Sequence, residues 1–277
     1  MPFDMSYVGK QLEPISFTYT ERDVMLYALG VGCGTDDLRF TYERNLEVLP
    51  TFAVIPSFPA MMNMGSFMQV NPAMILHGEQ GIEILAPIPT SGTLTTRATP
   101  KAVYDKGKGA VVAIETETTD AKGSVVFRNT SSIFVRGEGG FGGDRGPSGE
   151  KNVPPDRAPD QSISYTTLPQ QALIYRLSGD MNPLHADPDF AKFGGFDKPI
   201  LHGLCTFGHA GRAVLAAYCG NDPARLRKFE VRFSGVVFPG ETITTDMWQV
   251  APGKIVLTAK TERGQAVLSA AAAEVAA

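Results

Sequence analysis

Apolar positions recur at helical spacing in three stretches of this chain. Val24, Leu26 and Leu29 follow Thr20, an N-cap with Asp23 three residues on. Ala172, Leu173, Tyr175 and Leu177 follow Thr167, with Pro169 near the first helical position. Both patterns stop at a glycine, Gly30 and Gly179. The third and longest runs Leu204, Phe207, Gly211, Val214, Leu215 and Tyr218, closing at Gly220, and predicts a helix with one apolar stripe. Elsewhere the period is two or the run is β-branched: Ile82, Ile84, Ala86 and Ile88; 111–114; 125–127; Phe229, Val231 and Phe233; 241–250; 255–258. Helices followed by strands, twice over, predict an α+β protein with a largely antiparallel sheet.

Between the two sets lies a stretch dense in Gly and Pro, residues 137–160, with almost no apolar periodicity. It predicts a division into an N-terminal repeat, 1–136, a linker, 137–160, and a C-terminal repeat, 161–277. Each part also carries a Leu-His-Gly triplet, 76–78 and 201–203, which supports duplication. The long helix follows only the second triplet, so the first repeat is expected to lack its full helix. Upstream lies a methionine-rich segment, Met61, Met62, Met64, Met68 and Met74, suited either to lining a variable apolar space or simply to filling a core.

Composition narrows the field. The chain has 277 residues, 43% hydrophobic and 19% charged, as in an ordinary globular enzyme. Its net charge of −4 and lack of a basic run argue against nucleic acid and acidic membranes as partners. Cys33, Cys205 and Cys219 have no regular spacing, which suggests reduced thiols inside a cell. No apolar run approaches the roughly 18 residues of a membrane span, and no targeting signal is evident.

The candidate chemistry sits just beyond Gly179. Asp180, Asn182 and His185 fall within six residues, and Pro183 stiffens the loop between them. Such a loop can aim three polar groups at one water molecule, with Asp and neutral His sharing acid and base roles. Alternatively these are cap and turn residues. Gly203 opens the long helix, where its N–H and the helix dipole suit a developing oxyanion; the other reading is close packing. His77 and His202 lack metal-ligand spacing, so no metal is expected. Cys205 reads as a buried thiol rather than a nucleophile. Lys106 reads as a solvated turn residue and Phe233 as a core strand residue unless a ligand reaches them.

The run Tyr175-x-Leu-Ser-Gly-Asp-x-Asn-Pro-Leu-His185, with Gly195 to Phe207, resembles the hydratase-2 motif of the MaoC-like dehydratases. The likeness extends from about Thr20 to about Ala270 and includes 76–80, 105–107, 139–143 and Pro239-Gly240. The resemblance implies two hot-dog repeats, antiparallel sheets wrapped around a long central helix. It implies reversible (R)-specific hydration of trans-2-enoyl-CoA without any cofactor, in fatty acid beta-oxidation. Asp180 and His185 are then the catalytic pair, Asn182 helps hold the water, and Gly203 binds the thioester oxygen. Met181, Pro183 and Leu184 line the reacting carbons, and His77, Gly78, Lys106 and Phe233 contact substrate. Only one site per chain is expected, because residues 30–35 lack the motif's acid and base. The family is homodimeric, and peroxisomal in eukaryotes or cytoplasmic in bacteria. Two other readings of the same scaffold are an acyl-CoA thioesterase and a non-catalytic acyl-CoA-binding module.

Overall fold

The computed structural model describes residues 2–71 and 74–276. Among these residues ten strands form one antiparallel sheet: β1 (Ile15–Tyr19), β2 (Ile75–Ile84), β3 (Gly92–Asp105), β4 (Gly109–Thr119), β5 (Val125–Arg136), β6 (Gln161–Thr166), β7 (Leu226–Phe233), β8 (Thr242–Ala251), β9 (Lys254–Thr261) and β10 (Ala266–Val275). Their spatial order is β1-β3-β4-β5-β2-β7-β10-β9-β8-β6. The left five and right five are the same arrangement read outward from the centre. The halves join where β2 pairs with β7, with Glu79 opposite Arg232 and Gln80 opposite Val231.

Among the described residues six α-helices accompany the sheet: α1 (Glu21–Gly30), α2 (Leu38–Thr41), α3 (Val54–Met62), α4 (Gln171–Tyr175), α5 (Pro188–Phe193) and α6 (Gly203–Tyr218). Thr20 and Asp23 form the expected capping box on α1. Thr167 and Pro169 do not start α4, which begins at Gln171 and runs on as a 3-10 turn to Ser178. Among the described residues no helix is long and apolar enough to cross a membrane.

The central helix of the second half is α6. The sequence predicts one buried stripe, yet every residue from Leu204 to Leu215 is buried. Glycine explains how the first half closes over it. A Cβ at Gly208 would lie 2.3 Å from Val31 Cγ1, and one at Gly211 would lie 2.5 Å from Thr51 Cγ2. Only bare backbone admits segments that close. Arg212 crosses the same contact, donating to the Val31 carbonyl at 3.0 Å and to the Asp37 carboxylate at 2.8 Å.

The first half does have a central helix, but shorter and in another place than the triplets suggest. A 3-10 turn, Pro50–Ala53, leads into the nine-residue α3, which packs on β3 and β4. The two Leu-His-Gly triplets are therefore not equivalent. Leu76-His77-Gly78 lies within β2, whereas Leu201-His202-Gly203 leads into α6. The Gly- and Pro-rich connection is pinned rather than loose. The Asp105 carboxylate accepts from the N–H groups of Gly140, Gly107 and Gly142, each at 2.8 Å. Those bonds, Gly140's foremost, lower its pKa to about 2. Farther along, Trp248 Nε1 donates to the Arg157 carbonyl.

Candidate active site

The candidate loop begins where the α4 segment ends. Gly179 adopts φ +132°, which turns the chain out of helical geometry. Asp180 Oδ1 accepts from Asn182 N–H at 3.2 Å, and Asn182 Oδ1 accepts from Leu184 N–H at 3.0 Å. Pro183 then opens a single 3-10 turn ending at His185. Asn182 is thus a cap through its carbonyl oxygen, and its NH2 is the end left to meet a ligand. Met181, Asn182 and Pro183 are exposed, Asp180 and Leu184 partly buried, and His185 buried.

His185 Nδ1 lies 2.8 Å from the Ile200 carbonyl. A carbonyl only accepts, so the proton is on Nδ1 and Nε2 carries the lone pair. Burial lowers the pKa of His185 against the opposing pull of the Ile200 carbonyl and Asp180. The ring is therefore neutral near pH 7, as a proton acceptor must be.

His202 belongs to this site, a role its sequence position did not disclose. Its ring stacks on His185 with centroids 3.6 Å apart and planes inclined by 27°. Its Nε2 lies 3.1 Å from the Asp180 carbonyl and so donates to it. Tyr175 also packs against it, tilted by 51° with 4.9 Å between centroids. Burial, reinforced by the neighbouring His185, lowers its pKa to about 2. His202, neutral near pH 7, stacks against the His185 ring and ties the Asp180 backbone to the start of α6. The only sequence clue was its place directly before Gly203.

Ligand-type atoms of Asp180, His185 and His202 fall within 4.8 Å of one another. The stacking argues against a shared metal. Imidazole lone pairs lie in the ring planes, and nearly parallel planes 3.6 Å apart do not meet at bonding distance from both nitrogens.

Gly203 is the first residue of α6 and is exposed, although the helix behind it is buried. Its N–H has no acceptor within the helix, and the positive end of the helix dipole adds to it. Phe233, the last residue of β7, covers its flank: a Cβ on Gly203 would lie 3.2 Å from the ring. His77 packs edge-on against Phe233 at 4.9 Å, so the first half reaches the site. It does so through Gly78, the extra residue of a bulge between β2 and β5. The bulge keeps His77 on the inner face of the sheet together with Gln80. Burial lowers the pKa of His77 to about 4.

Lys106 is not brought to Asp180. It sits at the β3–β4 turn, three to four strands from β7, roughly 14–19 Å across the sheet. Its ammonium donates to the Arg145 carbonyl and lies over the Tyr104 ring. Cys205 is fully buried with its thiol donating to the Gly30 carbonyl, and burial pushes its pKa well up, so it is no nucleophile.

A carboxylate and a neutral imidazole within 4.8 Å of each other, on a loop upstream of a helix that starts with an exposed glycine, are a candidate acid–base site. Comparisons with known proteins place the chain in a lineage. The MFE-2 hydratase 2 N-terminal domain matches residues 17–137, and the MaoC like domain matches residues 150–272. A Dictyostelium discoideum protein named probable enoyl-CoA hydratase 2 is 46% identical, over 96% of this chain and 94% of its own. The crystal structure of a MaoC-like dehydratase from Phytophthora Capsici superposes with a TM-score of 0.89 at 38% identity, covering 99% of this chain and 98% of that one. A Mycobacterium tuberculosis protein described as a double hotdogfold gives a TM-score of 0.62 at 11% identity, covering 95% of each chain, which bears on the fold alone. The chain belongs to the MaoC-like dehydratase family, and its fold is the double hot-dog.

Proposed function

We propose that this protein is an (R)-specific enoyl-CoA hydratase, a hydro-lyase that adds water across the C2–C3 double bond of a trans-2-enoyl-CoA. The observation that carries this reading is the pairing of Asp180 and neutral His185 beside the free amide of Gly203. The thioester oxygen docks on Gly203 N–H, and the negative charge that grows there is stabilised by the amide and the dipole of α6. That charge makes C3 electrophilic. A water held by the Asp180 carboxylate and His185 Nε2 gives its oxygen to C3 and one proton to the pair. The pair returns one proton to C2, so the atoms of one water are added and nothing else is consumed. Asn182 NH2 orients the water, and Met181, Pro183 and Leu184 border the reacting carbons. His77, Gly78 and Phe233 bound the acyl chain, and Lys106 meets the distal part of CoA.

In this reading the chain divides as 1–136, 137–160 and 161–277, with the first repeat receiving the tail and the second carrying the chemistry. A homodimer working in fatty acid beta-oxidation, in the peroxisome of a eukaryote or the cytoplasm of a bacterium, completes it, on family resemblance. The test is incubation with trans-2-enoyl-CoA, followed by chiral analysis of the product and a thiol reagent for free CoA. The expected result is (3R)-3-hydroxyacyl-CoA without CoA release. Free CoA without hydroxyacyl product would identify a thioesterase instead.

A further inference from the structure

His202 meets three parts of the site at once. Its ring lies against His185, with 3.6 Å between centroids. Its Nε2 donates to the Asp180 carbonyl at 3.1 Å. Its peptide bond leads directly into Gly203, the first residue of α6. The carboxylate, the imidazole and the helix amide therefore share one neighbour as a common reference. That reference is itself firmly held. His202 is 1% exposed. Its carbonyl accepts from the N–H groups of Cys205 and Thr206, both at 3.1 Å, and the preceding Leu201 N–H donates to the Val237 carbonyl at 2.7 Å. The loop it braces is less secure. Met181, Asn182 and Pro183 are exposed, and beyond its own turn bonds the loop is tied to Arg176, Ile200 and His202. The Arg176 bond, to the Met181 carbonyl, is long at 3.3 Å, which leaves most of the restraint to Ile200 and His202.

The same histidine is unfit to be the acid or the base itself. With Nε2 donating, its lone pair is on Nδ1, which is buried and without a partner. Burial and the neighbouring His185 keep that nitrogen unprotonated, so His202 adds no repulsion when His185 takes up a proton. Packing alone gives no reason for an unpaired buried nitrogen, because a phenyl ring fills similar space without one. The imidazole is explained by its two contacts together: a flat face for His185 and a donor for Asp180.

We propose that His202 is a positioning residue of the hydration reaction, holding the His185 ring by stacking and the Asp180 backbone by its Nε2 hydrogen bond. The proposal rests on the hydratase reading above and adds a residue that acts through the pair without touching substrate. Small misplacements of reacting groups are costly in rate, so a rigid brace behind an exposed loop has a direct kinetic consequence.

Two variants separate the two contacts. His202→Gln keeps a donor for the Asp180 carbonyl and removes the stacked ring, while His202→Phe keeps a ring and removes the donor. Each is measured for trans-2-enoyl-CoA hydration, alone and in a background lacking the group it positions. His202→Gln is expected to lower kcat by about 10-fold to 10²-fold with KM within about twofold of wild type. In the His185→Gln background the same change is expected to cost less than about twofold, because the ring it positions is gone. His202→Phe is expected to behave likewise, with Asp180→Asn as its background. Losses of equal size in both backgrounds mean a merely structural histidine and overturn the proposal, as does wild-type kcat in both single variants. The nitrogen NMR spectrum of the His185 imidazole gives a readout that needs no turnover. Wild type and His202→Phe are expected to show the Nδ1–H form held by Ile200, and His202→Gln an averaged mixture of tautomers. A His185 spectrum unchanged in His202→Gln overturns the stacking role, whatever the reaction. If the wild type turns over no enoyl-CoA while the NMR change is present, the hydratase reading falls and the brace stands.

Discussion

The loops after α1 and after α4 occupy matching places in the two halves and do opposite work. In the first half, residues 31–37 are committed to structure. The Val31 carbonyl and Asp37 carboxylate hold Arg212 of α6, and Asp37 also caps the backbone at Gly34. In the second half, residues 179–185 bring the Asp180 carboxylate and the His185 ring within 4.8 Å of each other. The central helices differ in the same sense. The sixteen residues of α6 sit on an apolar floor that includes Phe229, Met247 and Leu268, while the nine of α3 sit on a polar one. The second half thus carries Asp180 and His185, while the first half supplies the loop that holds α6 through Arg212. On the proposed function this leaves one site per chain.

The largest expected effect falls on the loop that kept its chemistry. His185→Gln retains a donor towards the Ile200 carbonyl but removes the basic nitrogen. Hydration should fall by about 10²–10⁴-fold with a melting temperature close to wild type. Normal turnover would erase the distinction between the two loops. Next is the helix start. Gly203→Ala puts a methyl 3.2 Å from the Phe233 ring, so the ring or the amide must shift by tenths of an ångström. Steady-state kinetics should show kcat reduced by about 10-fold to 10²-fold, with folding unaffected.

A smaller effect, on stability rather than rate, tests the structural loop. Asp37→Ala leaves Arg212 buried and unpaired on the carboxylate side, with the Val31 carbonyl and the Tyr165 ring remaining. Urea unfolding should show a loss of about 3 kcal/mol. No loss would mean that the first-half loop does not clamp α6. Last is the acid response, which is spread over several buried rings rather than placed at one residue. Burial lowers His77 and His209 to about 4 and His202 to about 2, against 6.5 in the unfolded chain. Below pH 6.5 the unfolded chain binds protons that the folded chain refuses, so stability is full above 6.5 and declines as pH falls towards 4. The urea midpoint should drop steadily through that window, and a flat midpoint would contradict the burial of these rings.

Much of this asymmetry was legible in the amino-acid order, and the rest was hidden for identifiable reasons. Asp180, Asn182, His185 and Gly203 were visible because a short stiff loop and a helix start are local features. The first-half helix was hidden by Pro56 and Pro59. Pro56 is tolerated in the first turn, and Pro59 costs only one backbone bond in a helix held mainly by packing. Strand β10 was hidden by its alanines, which favour helix on their own but here pair with both β7 and β9. The two Leu-His-Gly triplets misled because three residues do not reveal whether a strand or a helix follows. The stacking of His202 on His185 is a tertiary contact between residues seventeen apart, and no periodicity announces it.

The most direct test of the account is turnover by Asp180→Asn. Asparagine keeps the side-chain oxygen that accepts from Asn182 N–H and the backbone carbonyl that accepts from His202, so the loop is preserved and only the carboxylate charge is lost. The account predicts that kcat for trans-2-enoyl-CoA hydration falls by at least about 10²-fold while KM changes little. Turnover within a few-fold of wild type would contradict the assignment of the chemistry to the second half's loop.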